Sequence, residues 1–277
     1  MMTPDEVFVG ESPAQQSAPR NSKGNARYVI VQHTRNGGSV KIVIISDVHG
    51  NLAALEALPE RNYDALWCIG DLVDYGPNPH EVVQWVQTNV HLAMRGNHDQ
   101  AAGFSVDPQC SAPYKKLAAE TLQYTLEACT EKDLGYLRSL PTYREVRIAQ
   151  TQFYLVHATP TDPLYGYCPQ NSPSWSEQVG CVDADVLVVG HTHTPFVRQE
   201  GKTTILNPGS LGQPKTGRPL ACYAVWEDGK IFLHEYEYPI EDTIAGIRRM
   251  PIPSEDQEAL ITVLKTGEIP ARSTVES

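Results

Sequence analysis

The stretch Ile42-Val43-Ile44-Ile45-Ser46-Asp47-Val48-His49-Gly50-Asn51 decides the fold. Its four apolar, mostly β-branched residues predict a buried strand over 42–45, and Asp47 and His49 follow at the carboxyl end of that strand. Asn51 is suited to cap a helix that starts at Leu52. A strand that delivers metal-capable side chains just before a helix is typical of the place where an open α/β sheet builds its sites.

The same pattern returns at the ends of four later apolar segments. These segments, with the residues that end or follow them, are 65–69 (Gly70-Asp71), 90–94 (Gly96-Asn97-His98-Asp99), 152–156 (His157) and 185–189 (Gly190-His191-Thr192-His193). Any one of these alone is more typical of a turn, a helix cap or a core histidine. The first three strand ends are spaced by about one βα unit, which favours parallel neighbouring strands whose carboxyl ends share one edge.

Together these strand ends offer more ligands than one tetrahedral ion uses, so the sequence predicts two ions that share a bridging ligand. Asp71 is the best bridging candidate, because it is the carboxylate at the strand end that lies between the first and the third along the chain. Alternate residues of an extended segment point the same way, so we expect Asp47 to converge with His49, and His191 with His193. The expected metal ligands are Asp47, His49, Asp71, Asn97, His157, His191 and His193.

Composition narrows the class of protein. Acidic residues outnumber basic ones 33 to 22, and the net charge of −11 disfavours a protein that grips nucleic acid by neutralising phosphates. Six cysteines are scattered without a C-x-x-C pair, which favours free thiols in a reducing compartment over a disulfide framework. No leader-like or membrane-spanning apolar run is present in the sequence, so we expect a soluble, cytoplasmic protein.

The chain divides into three parts by composition. Residues 1–38 predict a disordered tail, although 28–31 is strand-like; residues 39–245 predict the main domain, and 246–277 a C-terminal helix and tail. Parallel βα units come first and antiparallel hairpins later, which predicts an α/β fold with two packed mixed β-sheets, a sandwich flanked by α-helices. A helical insertion over 100–141 either contributes to a substrate rim or packs on the sheet, and periodicity does not separate these alternatives.

The ordered set of site motifs resembles the calcineurin-like metallophosphoesterase superfamily. The runs Leu206-Asn207-Pro208-Gly209-Ser210 and Val156-His157-Ala158-Thr159-Pro160 further resemble its small bacterial and archaeal phosphodiesterase branch. The resemblance covers residues 41 to about 237. It implies the calcineurin-like metallophosphoesterase fold with a dinuclear metal centre on one edge, and a hydrolase of phosphate esters, most simply a phosphodiesterase.

The resemblance also implies a role for each site residue. Asp47, His49 and His193 would hold one ion, Asn97, His157 and His191 the other, and Asp71 would lie between them. A water that bridges the ions would be the nucleophile. His98 would protonate the departing oxygen, with Asp74 orienting it, and Asn97 and His98 would contact the bound phosphate. We expect Mn²⁺, with Fe, Zn, Ni or Mg as alternatives, because imidazole and oxygen ligands are mixed.

Two departures from the superfamily pattern and several alternatives stay open. Ala158 stands where a glycine commonly follows the histidine, and Tyr75 stands where related protein phosphatases carry a phosphate-gripping arginine, which argues against that activity. The alternatives are a phosphomonoesterase (a protein phosphatase or dinucleoside polyphosphate hydrolase), a nuclease, and a non-catalytic metal-binding scaffold on the same fold. The expected partner is a small phosphate ester or nucleotide, not a membrane, and a homo-oligomer is left open.

Overall fold

The computed structural model of the chain describes residues 29–31 and 39–268. Most of the predicted disordered tail over 1–38, and the chain end from 269 to 277, therefore lie outside the described residues. Within the predicted tail, Val29–Val31 forms a strand that pairs in parallel with Val146–Ile148. The strand-like pattern at 28–31 therefore corresponds to a real strand.

The described residues form eleven strands and eight helices. The strands are β1 (Val29–Val31), β2 (Lys41–Ile45), β3 (Ala65–Cys68), β4 (Leu92–Ala93), β5 (Tyr143–Ile148), β6 (Thr151–Val156), β7 (Val186–Val188), β8 (Phe196–Glu200), β9 (Thr203–Asn207), β10 (Ala221–Glu227) and β11 (Lys230–Tyr236). The helices are α1 (Leu52–Glu56), α2 (Pro79–Asn89), α3 (Asn97–Phe104), α4 (Ala112–Ala128), α5 (Glu131–Ser139), α6 (Trp175–Gly180), α7 (Ile240–Ile247) and α8 (Ser254–Thr266).

The strands form two mixed sheets, which confirms the predicted fold class. One sheet has the order β1-β5-β6-β7-β9-β8 and the other the order β11-β10-β2-β3-β4. Strands β2, β3 and β4 are parallel neighbours, as the spacing of their ends predicts. The β10–β11 hairpin is antiparallel to β2, with Ala224 opposite Ile44, so the last hairpin completes the sheet that contains β2, β3 and β4.

The core lies between the two sheets and beneath the helices. Ile42 and Ile44 of β2 face the other sheet, while Val43 and Ile45 face the helical layer, so both faces of this strand are buried. Burial on both faces explains why the strand is continuously apolar instead of alternating. At the centre of the interface between the sheets, the ring of Phe153 packs edge-on against Trp67 and Trp226, at centroid distances of 5.1 and 5.3 Å.

Local signals located most elements but missed others. Asn51 caps α1 as predicted, with its side chain accepting from the amide of Ala54. The predicted strand over 90–94 is only Leu92–Ala93, because Asn97 already begins α3. Helices α6 and α7 were not predicted. Helix α6 has only six residues, too few for a helical period to be recognised in the sequence.

All six cysteines are free, and Cys68 and Cys222 are buried in β3 and β10, as the sequence indicates. Among the helices of the described residues, none combines the length and the apolar character that crossing a bilayer requires.

We predict that Phe153→Ala lowers the free energy of unfolding by about 3–5 kcal/mol, because a large ring is removed from a site that cannot collapse around the cavity. Chemical denaturation measures the change. The matched control is Phe232→Ala: Phe232 is 45% exposed on β11, so its loss should change the stability by only about 0.5 kcal/mol. Equal losses for the two variants would contradict this account of the core.

Candidate metal centre

The candidate site lies where the parallel ladder of β2 and β3 continues past the ends of the strands. The amide of Asp47 donates to the carbonyl of Gly70 at 2.9 Å, and the amide of His49 donates to the carbonyl of Asp71 at 2.9 Å. The two loops therefore run side by side with their backbones bonded. This pairing fixes the carboxylate and imidazole groups of both loops at one edge of the sheet.

The side chains of the two Asp/His pairs converge, but not in the way an extended strand would bring them together. Asp47, His49, His191 and His193 all have positive φ, between 47° and 64°. These residues lie in left-handed turns after the strands have ended, so the expected extended geometry was wrong. Asp and His tolerate this region better than branched residues do, and such strain is concentrated at functional sites.

The seven predicted ligand residues come together in two groups. In the first, Nε2 of His193 lies 3.2 Å from Nε2 of His49 and 3.3 Å from Oδ1 of Asp47. Nε2 of His49 lies 3.7 Å from Oδ2 of Asp71. The possible ligand atoms of Asp47, His49, Asp71 and His193 all lie within 4.8 Å of one another, which is close enough to surround one ion.

The second group shares Asp71 with the first. Oδ2 of Asp71 lies 3.2 Å from Nε2 of His157, and Asp71, His157 and His191 form a second set within 4.8 Å. The carbonyl oxygen of Asn97 lies 3.2 Å from Nε2 of His157 and 3.1 Å from Nδ1 of His191. Its amide nitrogen donates to the carbonyl of Pro108 at 2.8 Å, which turns the oxygen toward the two histidines.

Backbone carbonyls set the orientation of three of these histidines. Nδ1 of His49, His157 and His193 lies 2.7–3.0 Å from the carbonyls of Val73, Ile69 and Gln213, respectively. Because a carbonyl only accepts, each Nδ1 must carry the hydrogen. Nε2 is then the atom that faces the site, the arrangement that protein metal sites commonly use to hold an imidazole ligand.

The donor set fits a cation. With their Nδ1 hydrogens committed to carbonyls, neutral His49 and His193 direct two lone pairs at each other across 3.2 Å. Burial lowers the pKa of each well below its ordinary value, so both stay neutral. Oδ1 of Asp47 is buried there without a hydrogen-bond donor. These three atoms are all electron-pair donors, so they repel one another when no cation lies between them. A metal ion would accept an electron pair from each.

Asp71 and His157 are electrostatically paired at the centre of the site. Burial alone would raise the pKa of Asp71, but the nearby cationic His157 and His98 outweigh it and hold that pKa well below its usual range. Burial likewise opposes the charge on His157, yet Asp71 raises the pKa of His157 to about 9. A proton on His157 thus occupies the position in which a metal ion would offset the charge of Asp71.

His98 lies beside the two groups and bonds to neither through its ring. Its Nδ1 lies 2.7 Å from Oδ2 of Asp74, and the other oxygen of Asp74 accepts from the hydroxyl of Thr125 at 2.7 Å. Burial lowers the pKa of His98, but nearby Asp71 and the hydrogen bond to Asp74 help to hold it well above the ordinary value. Its Nε2 lies 3.5 Å from the thiol of Cys110, and the protonated form of the ring carries an N–H at this position.

Asp99 is a buried residue whose role sequence reasoning missed. Its carboxylate accepts from the amides of Asp71, Leu72 and Gly96 at 2.8–2.9 Å, and it thereby holds the Asp71 loop against α3. A signal was present: Asp99 is the third residue of α3, where an acidic side chain often reaches back to the residue that caps the helix. The sequence around Lys215 carries no comparable signal for a role at the site.

Comparison with known proteins gives the same fold and assigns the chain to a family. The sequence profile of the Calcineurin-like phosphoesterase superfamily domain matches residues 40–228, more than half of the chain. The chain belongs to the calcineurin-like phosphoesterase superfamily. It is accordingly a metallophosphoesterase, a hydrolase of phosphoric esters, and the Asp/His groups form the metal-binding cluster expected of such an enzyme.

Three relatives illustrate the likeness. Phosphodiesterase YfcE of Escherichia coli K12 is 28% identical over 203 residues, which cover 68% of this chain and 88% of that protein. An uncharacterised protein of Methanocaldococcus jannaschii is 30% identical over 234 residues, with coverage of 76% and 93%. The crystal structure of a metallophosphoesterase from Sphaerobacter thermophilus superposes with a TM-score of 0.72 at 30% identity, covering 83% of this chain and all of that one.

We predict that Asp99→Ala lowers the free energy of unfolding of the metal-free protein by about 3 kcal/mol or more, since three buried amides lose their acceptor at about 1–3 kcal/mol each. Urea denaturation with a chelator present measures this without reference to activity. Asp107→Ala is the control, because exposed Asp107 accepts only from the amide of Gln109. A change below about 1 kcal/mol for Asp99→Ala would show that these amides find other partners.

Proposed function

We propose that this metallophosphoesterase is a phosphodiesterase of small substrates, with two divalent ions held by the seven ligand residues, Mn²⁺ being the expected metal. The observation that supports it most directly is the position of Asp71, whose Oδ2 is common to both groups of ligand atoms. Such ions, when bound, activate water and offset the charge on phosphoryl oxygens. Asp47, His49 and His193 hold one, and Asn97, His157 and His191 the other.

In this proposal, His98 is the general acid. Asp74 holds its Nδ1, so the N–H at Nε2 is left to donate to the oxygen of the departing group. Thr125 fixes Asp74 in turn, so the imidazole cannot rotate away. His98 and the adjacent Asn97 also contact the bound phosphate, because both lie at the start of α3, where helix geometry favours anions.

The burial of the site favours small esters. Six of the seven ligand residues are buried, and only His191 is partly exposed, so the site opens on the side of His191. The ring of Tyr167, 70% exposed, lies 6.0 Å from that of His191 at this opening. An aromatic side chain at the mouth suits the organic part of a nucleotide-type ester. The phosphodiesterase name of the E. coli relative supports the diester over the monoester.

We predict that the protein loaded with Mn²⁺ hydrolyses a chromogenic phosphodiester with a higher kcat/KM than the corresponding monoester, and that a chelator abolishes both activities. Absorbance assays on bis-p-nitrophenyl phosphate and p-nitrophenyl phosphate measure the two rates. A preference for the monoester would move the assignment to a phosphomonoesterase. Full metal occupancy with no turnover of either ester would favour a non-catalytic scaffold.

The control for this assay is Asp71→Asn. Since Asp71 is common to both ligand groups, its loss should empty at least one metal position. Turnover should be lost along with the metal. Elemental analysis measures the metal content per chain. If this variant retained two ions per chain, Asp71 would not be the ligand that the two ions share.

We predict that His98→Ala retains both ions but loses about 10²–10⁴-fold in kcat on a diester with a poor leaving group, because such a group needs a proton to depart. The loss should be much smaller on a nitrophenyl ester, which leaves without help. His234→Ala, which changes an exposed histidine of β11, is the matched control and should keep full activity. Equal losses on good and poor leaving groups would exclude the general-acid role.

A further inference from the structure

The loop that ends at Lys215 is attached to the metal-ligand loops by its backbone. The hydroxyl of Ser210 and the amide of Gly212 both donate to the carbonyl of Asp47, at 2.7 and 3.0 Å. The carbonyl of Gln213 accepts from Nδ1 of His193 at 2.7 Å. Two residues before Lys215, the chain is therefore fixed to the residues of the first ligand group.

Gly212 shows how close this approach is. A Cβ atom at this position would lie 1.7 Å from the carbonyl oxygen of Val48, so only glycine allows the two backbones to pass. The side chain of Asn51 also donates to the carbonyl of Gly212 at 3.0 Å. The loop is consequently held on both sides, and the position of Lys215 is set by backbone bonds.

The ammonium of Lys215 lies over the ring of Tyr114, 4.5 Å from its centroid, in a cation–π contact. Tyr114 is buried against Tyr75, whose ring packs 4.8 Å from those of both His49 and His98. Through Tyr114 and Tyr75, the ammonium is connected to the rings of His49 and His98. The cation is thus placed beside the candidate metal centre and the proposed general acid.

Lys215 has no carboxylate to pair with. Across residues 29–31 and 39–268, no Asp or Glu oxygen lies within 4.0 Å of its ammonium, although the side chain is half-buried. Lys202 differs, since it pairs with Asp183 at 2.7 Å on the surface. A partly desolvated cation with no carboxylate in direct contact is unfavourable, and a ligand that brings a negative charge into contact would relieve this.

The charge of the loaded site narrows that ligand to an anion. Two divalent ions would bring four positive charges, and the carboxylates of Asp47 and Asp71 offset two of them. An added ammonium increases this excess, so the loaded site would attract a negatively charged substrate. A phosphate group supplies that charge, together with oxygens that accept hydrogen bonds from an ammonium.

We propose that Lys215 is a phosphate-binding residue of this site, which donates to a non-bridging phosphoryl oxygen and favours ligands with a second negative charge. Tyr114 positions the ammonium for this contact. The inference rests on the proposed function, because the bound group is a phosphate ester. It concerns binding, so its first test needs no turnover.

The test is calorimetric titration of inorganic phosphate into the Mn²⁺-loaded protein and its variants. Lys215→Met keeps the length of the side chain and removes the charge, and it should weaken phosphate binding about 10-fold or more, the usual effect of losing a hydrogen bond to a charged group. Lys215→Arg should bind within about 3-fold of the parent protein, because the charge is restored. Lys202→Met is the matched control and should bind as the parent does.

A second measurement separates binding from a structural role. Because an ammonium attracts a dianion more strongly than a monoanion, Lys215→Met should lose more kcat/KM on a nitrophenyl monoester than on the diester, at an unchanged metal content. Equal losses on both esters would indicate a general distortion of the site and would overturn the proposal.

The outcomes also separate this inference from the proposed function. Unchanged phosphate affinity in Lys215→Met, with two ions per chain, overturns the role of Lys215 even if the parent protein hydrolyses diesters. Weaker phosphate binding in that variant supports the role of Lys215 even if the parent hydrolyses none of the esters.

Discussion

Every polar atom of Asp71 is engaged, and the arrangement of the site depends on that residue. Its amide donates to Asp99, its carbonyl accepts from the amide of His49, and its Oδ1 accepts from the amide of His98 at 2.9 Å. Only Oδ2 is left to face the ligand histidines. The approach is so close that a Cβ on Gly96 would lie 2.1 Å from Oδ1. The main chain thus aims a single carboxylate oxygen at both halves of the site.

The backbone around the site stores strain that the fold must hold in place. Five of the ligand residues, Asp71 among them, have positive φ, a conformation that costs of order 1–3 kcal/mol at a residue other than glycine. The hydrogen bonds that continue the ladder beyond β2 and β3 offset this cost and prevent relaxation. Ligands fixed in this way are already oriented, so binding of an ion does not have to order them.

The sequence predicted which residues meet, but not how the sheets are assembled. The carboxyl ends of parallel strands share one edge, so apolar runs that end in Asp, Asn or His were enough to locate the candidate ligands. Pairing between distant strands has no such local signal: nothing in 221–236 indicates that β10 joins β2. Lys215 was missed for the same reason, because its position depends on long-range backbone bonds from Gly212 and Gln213.

Helices α4, α7 and α8 support the site from behind. Insertion helix α4 contributes Thr125, which bonds to Asp74, and Tyr114, which packs with Ile244 of α7 and Leu260 of α8 around Tyr75. The neighbouring helix α5 instead buries Leu137 in the core beneath the sheet of β2, β3 and β10. The insertion therefore packs on the sheet through α5, as one of the two alternatives predicts, while α4 lies against residues that support the site; a contribution to a substrate rim stays a prediction. Because Tyr75 contacts His49 and His98, the packing of these helices determines where the proposed general acid stands relative to the ligands.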